Sequence, residues 1–253
     1  MSEILIVADL HLSDARPEVL PVFDALVSRA GQAGALYVLG DLFDYWIGDD
    51  QPLGGAVRER LEHFGQLKCP VYLQHGNRDF LIGEQFARQW HVELMPEWQR
   101  IDVGGVPIGL CHGDQLCTDD VAYQAMRAQL RHPAFQRDFL EKSLAERQAI
   151  AERLRQQSRQ ETSRKADDIT DVNEDTVRRY MEELAVPVLV HGHTHRPAIH
   201  RLPEGLRVVV GDWGLQGSLV SIREGVISLE RFDHRIAEIV DQASLPGKVR
   251  DDS

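Results

Sequence analysis

Cysteines and basic residues are scarce in this sequence, and long hydrophobic runs are absent. The three cysteines, Cys69, Cys111 and Cys117, form no Cys-x-x-Cys pair, so we expect reduced structural thiols rather than disulfides or a zinc knuckle. The 28 Lys and Arg residues are outnumbered by 40 Asp and Glu, giving a formal charge of −12, which argues against a general nucleic-acid binder. No apolar run approaches the ~18–20 residues that a membrane span needs.

Several hydrolytic signatures are also missing: there is no GxSxG elbow, no GxxxxGK[ST] phosphate loop and no HExxH helix. The first residues, MSEILIVADLHLSD, reach acidic side chains at once, so we expect no signal peptide and a protein that is cytosolic or peripheral to a membrane. Hydrophobic residues make up 43% and charged residues 27%, a composition typical of soluble globular proteins.

Short apolar runs alternate with helical stretches through the first 90 residues. The pattern predicts strands at 4–8, 36–39 and 71–74, and helices at about 17–30, 56–64 and 83–90. Short apolar strands between helices are typical of an α/β sheet that is buried on both faces. The runs 99–103 and 106–111 flank a Gly-Gly pair and predict a hairpin.

The composition changes at about Asp119, where helix-forming residues dominate as far as Lys165 with Pro133 as the one break. Strand patterns return at 187–190, 198–202, 206–210, 218–222 and 226–232. The sequence therefore predicts a core formed by residues 1–118 and 169–241, a helical insert at 119–168, and a frayed tail at 242–253.

Two motifs near the start place metal-binding side chains directly after predicted strands. Asp9 and His11 stand at i and i+2, which point the same way in an extended chain, so both can reach one ion. Asp41 follows Gly40 at a turn after the second strand. Alone, Asp41 could equally be a helix N-cap.

Further candidate ligands follow later strands: Asn77 in GNRD, His112 in HGD, and His193 and His195 in HGHTH. The two late histidines repeat the i, i+2 spacing. Each motif is common by itself. Surface histidines are the alternative for His193 and His195, and the flanking apolar strand and glycine weaken it. All of the motifs lie at the carboxyl ends of strands, where α/β proteins place their sites, so we expect them to form one site.

The candidate ligands form a mixed nitrogen and oxygen set without a thiolate: Asp9, His11, Asp41, Asn77, His112, His193 and His195. Seven protein ligands are too many for one first-row ion and suit two ions about 3.5–4 Å apart, bridged by a carboxylate. Such a site favours hydrolysis of a phosphate ester or anhydride. The set favours Mn²⁺, and the same ligand types are compatible with Fe or Zn.

In this order and spacing, the segments DLH, GDLFD, GNRD, HGD and GHTH resemble the motifs of the calcineurin-like metallophosphoesterase superfamily. The resemblance spans residues 9–195. It implies an α/β fold of the αββα kind, a two-sheet β-sandwich flanked by helices, with a dinuclear metal site and here a helical insert.

A closer resemblance is to the UDP-2,3-diacylglucosamine pyrophosphohydrolase family of lipid A biosynthesis. LGDLFDYWIGDD, GNRDF, HGHTHRP, VVVGDWGLQGS and the insert carry it. It implies cleavage of that lipid-linked nucleotide to UMP and 2,3-diacylglucosamine 1-phosphate, two Mn²⁺ ions, and a peripheral location at the cytoplasmic face of the inner membrane. We expect a monomer. The substrate-binding residues that the resemblance implies are Asn77, Arg78, Asp120, Ser158, Thr162, Lys165 and His193.

Arg78 stands where many superfamily members have histidine, and with Asn77 it is a candidate catalytic residue. A guanidinium stays charged and cannot act as a general acid, but it offers a fork of donors to phosphate oxygens. Cleavage of a phosphoanhydride expels a phosphate monoester, whose second pKa near ~6 makes protonation unnecessary. Arg78 therefore favours a pyrophosphate substrate. The alternative is a structural arginine that pairs with Asp79.

The insert differs in charge from the rest of the chain. Residues 121–165 contain ten basic and five acidic side chains, which leaves −17 on the remainder. Its apolar residues fit either a plain helical cap whose stripe is all core, or a lid that accepts acyl chains at an anionic membrane surface. Ser158, Thr162 and Lys165 share one face of the predicted helix. A helical face that is simply exposed to solvent would have the same pattern. Asp120 could equally be an N-cap.

Two other functions stay open at this point. One is a dinucleoside polyphosphate hydrolase or phosphoprotein phosphatase on the same core, although a soluble dianionic substrate needs no apolar lid. The other is a binding module on a degenerate scaffold, which an intact ligand set disfavours.

Overall fold

The computed structural model describes residues 2–162 and 171–247, without the side chains of 157–162. Its strands are β1 (Ile4–Val7), β2 (Ala35–Val38), β3 (Val71–Leu73), β4 (Glu93–Leu94), β5 (Gln99–Val103), β6 (Val106–Leu110), β7 (Val188–His191), β8 (Ala198–Leu202), β9 (Gly205–Val209), β10 (Gly217–Arg223), β11 (Val226–Phe232) and β12 (Ala237–Ser244). Its helices are α1 (Leu20–Ala30), α2 (Gly55–Phe64), α3 (Glu84–Trp90), α4 (Val121–Leu130), α5 (Pro133–Leu140), α6 (Leu144–Thr162) and α7 (Glu174–Glu183). No helix in these ranges is long and apolar enough to cross a bilayer.

The strands form two mixed sheets. One has the order β12-β11-β10-β1-β2-β3-β4, and the other has the order β5-β6-β7-β9-β8. Strands β1 to β4 run parallel, and β10 joins β1 antiparallel. In the second sheet, β6, β7 and β9 are parallel. The carboxyl ends of both parallel sets can therefore meet at one edge of the molecule.

Three apolar layers hold the fold together. Ile6, Ile108 and Val190 belong to the layer between the two sheets. Helices α1 to α3 cover the outer face of the first sheet in a second layer, with Phe23 and Leu61 fully buried. Helix α7 contributes to the third layer, against the second sheet. Burial of each such side chain contributes roughly 1.5–3 kcal/mol. The αββα arrangement expected from the sequence is confirmed.

The predicted elements of the core agree with the structure to within a few residues. The first helix begins at Leu20 rather than at 17, because residues 17–19 form a turn. Helix α7 and strands β4 and β12 were not predicted. Strand β8 and strand β11 have the predicted bounds.

The predicted tail at 242–253 begins too early. Gln242, Ala243 and Ser244 pair with Ser228, Ile227 and Val226 as the end of β12. Their side chains are small or polar on an edge strand, so the sequence shows no apolar alternation there. The chain leaves the sheet only just before Pro246 and Gly247, residues that favour irregular backbone.

The insert consists of three helices, α4 to α6, and has a second break besides the predicted one at Pro133. Pro133 begins α5, where its missing N–H costs nothing, and a second break separates α5 from α6 at 141–143. Within the described side chains of the insert, Phe139 is the one buried apolar residue. The predicted end of the insert at 168 lies outside the described residues.

Candidate metal centre

All seven candidate ligands lie at the edge where the carboxyl ends of the parallel strands meet. Two follow β1, one follows β2, one follows β3, one follows β6 and two follow β7; these are Asp9, His11, Asp41, Asn77, His112, His193 and His195. Parallel strands deliver their carboxyl ends to one edge, so residues far apart in sequence become neighbours.

The backbone at this edge is strained. Five of these residues, none of them glycine, have left-handed backbone with φ between 50° and 66°: Asp9, His11, Asp41, His193 and His195. Each such conformation costs roughly 1–3 kcal/mol and persists only where the surrounding structure imposes it. Backbone strain at five residues whose side chains converge is typical of a functional site.

Two glycines let the strand ends approach each other. A Cβ on Gly76 would lie 2.1 Å from Asp41 Oδ1, and a Cβ on Gly40 would lie 2.4 Å from the backbone nitrogen of Gly76. Real side chains do not tolerate such contacts. The glycines before Asp41 and Asn77 are therefore needed for packing of the two loops.

One half of the site is formed by Asp9, His11 and His195, whose nearest ligand atoms all lie within 4.8 Å of one another. Asp9 Oδ1 is 3.4 Å from His195 Nε2. His11 Nδ1 is 3.9 Å from Asp41 Oδ2. Asp9 Oδ1 and His11 Nδ1 are buried and have no hydrogen-bond partner, as expected of atoms that serve a cation.

The other half lies on the opposite side of Asp41. His112 Nε2 is 3.9 Å from Asp41 Oδ1 and 3.0 Å from Asn77 Oδ1, and His193 Nδ1 is 2.9 Å from the same amide oxygen. His112 Nδ1 donates to Leu39 O at 2.7 Å, so Nε2 of a neutral His112 carries a lone pair that faces Asn77 Oδ1. Because Asn77 Oδ1 is also an acceptor, the two atoms require a proton or a cation between them.

Burial and neighbouring charges separate the pKa values of the ligands. Burial raises the pKa of Asp41 to about 7, and the Asp79 and Asp9 carboxylates act in the same direction. The nearby His112 acts in the opposite direction and lowers this pKa. Burial also lowers the pKa of His11 and of His193 to about 3. Burial opposes ionisation of Asp9, but the nearby histidines, His195 foremost, bring its pKa below the usual range.

The pKa of His195 is shifted in the opposite direction to those of His11 and His193. Burial lowers its pKa, but the Asp9 carboxylate outweighs burial and raises it to about 9. Asp212 Oδ2 lies 3.6 Å from His195 Nδ1, on the side of the ring away from Asp9. Carboxylates, imidazoles and an amide oxygen that converge without thiolates suit a divalent first-row metal.

Arg78 does not pair with Asp79. The Asp79 carboxylate is fully buried and accepts hydrogen bonds from the backbone N–H groups of Asp41, Leu42 and Gly76. Arg78 forms no ion pair with a described residue, and it lines a cleft beside the metal ligands. The structural alternative for Arg78 is therefore wrong, and its guanidinium is available to a ligand.

The cleft beside Arg78 is roofed by the insert and is largely apolar. It encloses about 100 Å³, and its apolar walls come from the core (Tyr45, Trp46, Ile47, Phe80 and Leu81) and from the insert (Met126, Leu130, Phe135, Phe139, Ala151 and Leu154). The apolar stripe of the insert therefore lines the cleft in part, while Leu144 and Ile150 pack against the core. Three further arginines line it, and each pairs with a carboxylate: Arg127, Arg131 and Arg155.

Of the remaining predicted binding residues, Asp120 is an N-cap, accepting from Tyr123 N at 3.0 Å. Ser158 and Thr162 lie on α6, but their side chains are outside the described part, and Lys165 lies outside it altogether. Two site residues were not predicted: Asp212, and Asp114 of HGD, which contacts the insert. The motif that places His112 also places Asp114, so the signal was present.

Comparison with known proteins is consistent with this site. The family model described as calcineurin-like phosphoesterase matches residues 2–197. UDP-2,3-diacylglucosamine hydrolase of Actinobacillus succinogenes is 43% identical over 88% of this chain and 96% of its own. The protein of the same name from Stenotrophomonas maltophilia is 44% identical over 89% and 97%. Vacuolar Protein Sorting 29 of Cryptosporidium parvum shares the fold at a TM-score of 0.53 and 15% identity, over 96% of this chain and 98% of its own.

Proposed function

The chain belongs to the calcineurin-like phosphoesterase family, and from this premise we propose that it hydrolyses the pyrophosphate bond of UDP-2,3-diacylglucosamine. The products are UMP and 2,3-diacylglucosamine 1-phosphate. The observation that carries the proposal is the continuity between the metal ligands, the unpaired Arg78 and an apolar cleft. The name shared by its relatives supports the same substrate.

The family and the Asp and His groups indicate a divalent metal. The site would hold two Mn²⁺ ions, and the residues that would bind them are Asp9, His11, Asp41, Asn77, His112, His193 and His195. Metal ions in such a site polarise a phosphoryl oxygen and provide hydroxide at neutral pH. Within the chain, Asp9 is held in place by the backbone N–H of His193 at 2.8 Å.

Arg78 binds the phosphate oxygens on which negative charge develops. Its backbone is fixed to Asp41 by a 2.7 Å hydrogen bond, and its planar fork suits two oxygens at once. A guanidinium does not serve as a general acid. This is compatible with a pyrophosphate substrate, because the departing phosphate monoester needs no general acid.

The cleft takes the acylated glucosamine. Its apolar walls, which come from both the core and the insert, suit the acyl chains. Within the same proposal, Asn77 and His193 adjoin the sugar phosphate, and Asp120, Ser158, Thr162 and Lys165 bind the polar part of the substrate.

The location of the protein follows from the same substrate. We place the chain as a monomer at the cytoplasmic face of the inner membrane, in lipid A biosynthesis, because the substrate is a lipid and the insert is basic. Flotation with vesicles tests this: binding to vesicles that contain anionic lipid, lost at high salt, supports it. Absence of binding at low salt contradicts it.

The activity is tested by comparing three substrates in the presence of Mn²⁺. UDP-2,3-diacylglucosamine, a dinucleoside tetraphosphate and a phosphomonoester are incubated with the full chain, with a chelator as the control. Release of UMP from the first alone, abolished by chelation, is expected. Preferential hydrolysis of the tetraphosphate would assign the site to soluble polyphosphates instead.

A further inference from the structure

A cluster of four charged residues joins insert helix α4 to the core. Arg127 Nε is 2.7 Å from Asp114 Oδ2, and Arg127 Nη2 is 2.8 Å from Glu97 Oε1. Arg131 approaches the same two carboxylates, with distances of 3.0 Å to Glu97 and 3.5 Å to Asp114. Two cations thus bridge two anions, and we call Asp114, Glu97, Arg127 and Arg131 the ionic quartet.

Asp114 is the buried centre of the quartet. It has no exposed surface, and it also accepts from the hydroxyl of Tyr123 at 3.1 Å. Its backbone oxygen accepts from Gln124 Nε2 at 2.8 Å. The Asp114 carboxylate therefore receives Tyr123 and Arg127 from one face of α4 and Arg131 from the residue that follows the helix. These contacts fix both the rotation and the translation of α4.

The same face of α4 contacts three loops that carry metal ligands. Asp114 is two residues past His112. Arg131 Nη2 donates to Gly76 O at 3.0 Å, next to Asn77. The ring of Tyr123 lies 5.8 Å from that of His193. The position of α4 is thus linked to every loop of the half-site formed by Asn77, His112 and His193.

The ionic quartet is better suited to fixing the position of α4 than to binding substrate. Its two arginines line the cleft, but both are neutralised by carboxylates, so neither presents a free charge as Arg78 does. Buried ion pairs add little net stability compared with apolar packing, and their best-attested use is to specify register. Helix α4 has no buried residue of its own, so apolar packing alone does not define where it lies.

We infer that Asp114 is a positioning residue that, through the ionic quartet, holds α4 in register between the acyl cleft and the metal ligands. This inference rests on the proposed function for the identity of the substrate. Loss of the quartet misplaces the cleft relative to the phosphate site. It therefore impairs hydrolysis of an acylated substrate more than that of UDP-glucosamine, which has the same pyrophosphate bond and no acyl chains.

A double-mutant cycle on the holoenzyme tests the inference. Asp114→Asn, Arg127→Gln and the double variant are compared with wild type on both substrates, with Arg137→Gln as the matched control because Arg137 is an exposed insert residue outside the quartet. The kcat/KM ratio of acylated to unacylated substrate is expected to fall about tenfold in each single variant. In the double variant it falls no further. A loss of folded enzyme lowers both values equally and leaves this ratio unchanged.

Hydrogen exchange of the metal-free full chain gives a second readout that does not depend on activity. Amides of α4 are expected to exchange faster in Asp114→Asn than in wild type, while those of α7 serve as the internal reference. The inference is overturned if Asp114→Asn changes neither the kcat/KM ratio of the two substrates nor the exchange of the α4 amides. It is also overturned if the losses of the two single variants add fully in the double variant. If wild type itself fails to release UMP from the acylated substrate, the proposed function fails, and α4 exchange still decides whether Asp114 holds the helix.

Discussion

The backbone N–H of Arg78 donates a 2.7 Å hydrogen bond to Oδ1 of Asp41. The residue proposed to bind phosphate is therefore fixed directly to the carboxylate proposed to lie between two metal ions. A change of Asp41 is therefore expected to affect both functions, whereas a change of the Arg78 side chain keeps this backbone hydrogen bond.

Asp41→Ala is expected to abolish hydrolysis and to lower the amount of Mn²⁺ retained by the protein. Its carboxylate oxygens lie between His11 and His112, so its removal leaves neither half-site complete. Metal analysis after gel filtration and an assay of UMP release measure the two effects. Near-native turnover of this variant would rule out the dinuclear mechanism.

Arg78→Ala is expected to reduce kcat about 10²–10³-fold while metal content stays at the wild-type level. The side chain stabilises developing charge, a contribution of this size for a single donor. Arg78→Lys restores only part of the loss, since an ammonium lacks the planar fork. Arg88→Gln, which removes an exposed arginine paired with Glu84, is the control. Full activity of Arg78→Lys would show that charge alone suffices.

Mn²⁺ binding is expected to strengthen as the pH rises from about 6 to about 9. In the metal-free protein, Asp41 has a pKa raised to about 7 and His195 has one raised to about 9. Below these values each group holds a proton that the metal must displace. Titration calorimetry in buffers of different ionisation enthalpy counts these protons. More protons should be released at pH 6 than at pH 9, and a pH-independent count would contradict the assignment.

The raised pKa of Asp41 also affects the stability of the metal-free protein. Between the ordinary pKa of 3.8 and about 7, the folded state binds the proton that the unfolded chain has lost. Asp41 therefore contributes stability at low pH that is lost as the pH rises through this window. Asp41→Asn should flatten this part of the pH profile in urea unfolding. An unchanged slope would show that Asp41 ionises normally.

Gly76→Ala is expected to reduce both activity and the free energy of unfolding. The added Cβ would lie 2.1 Å from Asp41 Oδ1, so the loop carrying Asn77 must shift. Gly55→Ala is the matched control, because nothing lies within 4 Å of a Cβ at that helical position. It should be neutral or stabilising by up to about 1 kcal/mol. Equal behaviour of the two variants would refute the close-approach argument.

The sequence predicted the ligand residues of the site but little of their surroundings. Asp9, Asp41 and Asn77 were found because each follows an apolar run, and strand ends in α/β proteins gather at one edge. The pairing of Asp79 could not be found in this way. Two of its partners are backbone N–H groups of the loop after β2, those of Asp41 and Leu42, whereas the neighbouring Arg78 suggested a local ion pair.

The elements at the margins of the fold were predicted less well for a similar reason. Strand β12 carries no clear alternation because its outer face is exposed. It is a strand because β11 offers it a hydrogen-bonding edge. The tail prediction failed at residues 242–244, where pairing with a distant strand overrides local polarity.

The sequence by itself determined the ligand types, their order after the strands and the arginine beside them. These are local features, and the apolar pattern of each strand shows where the strand ends and the ligand follows. Only the tertiary structure decided that five of the seven ligands adopt left-handed backbone and that Arg78 alone among the cleft arginines is unpaired in the described residues. It also decided that Asp114 anchors α4. These features depend on contacts between residues distant in sequence, and such contacts are set by the packing of the whole chain.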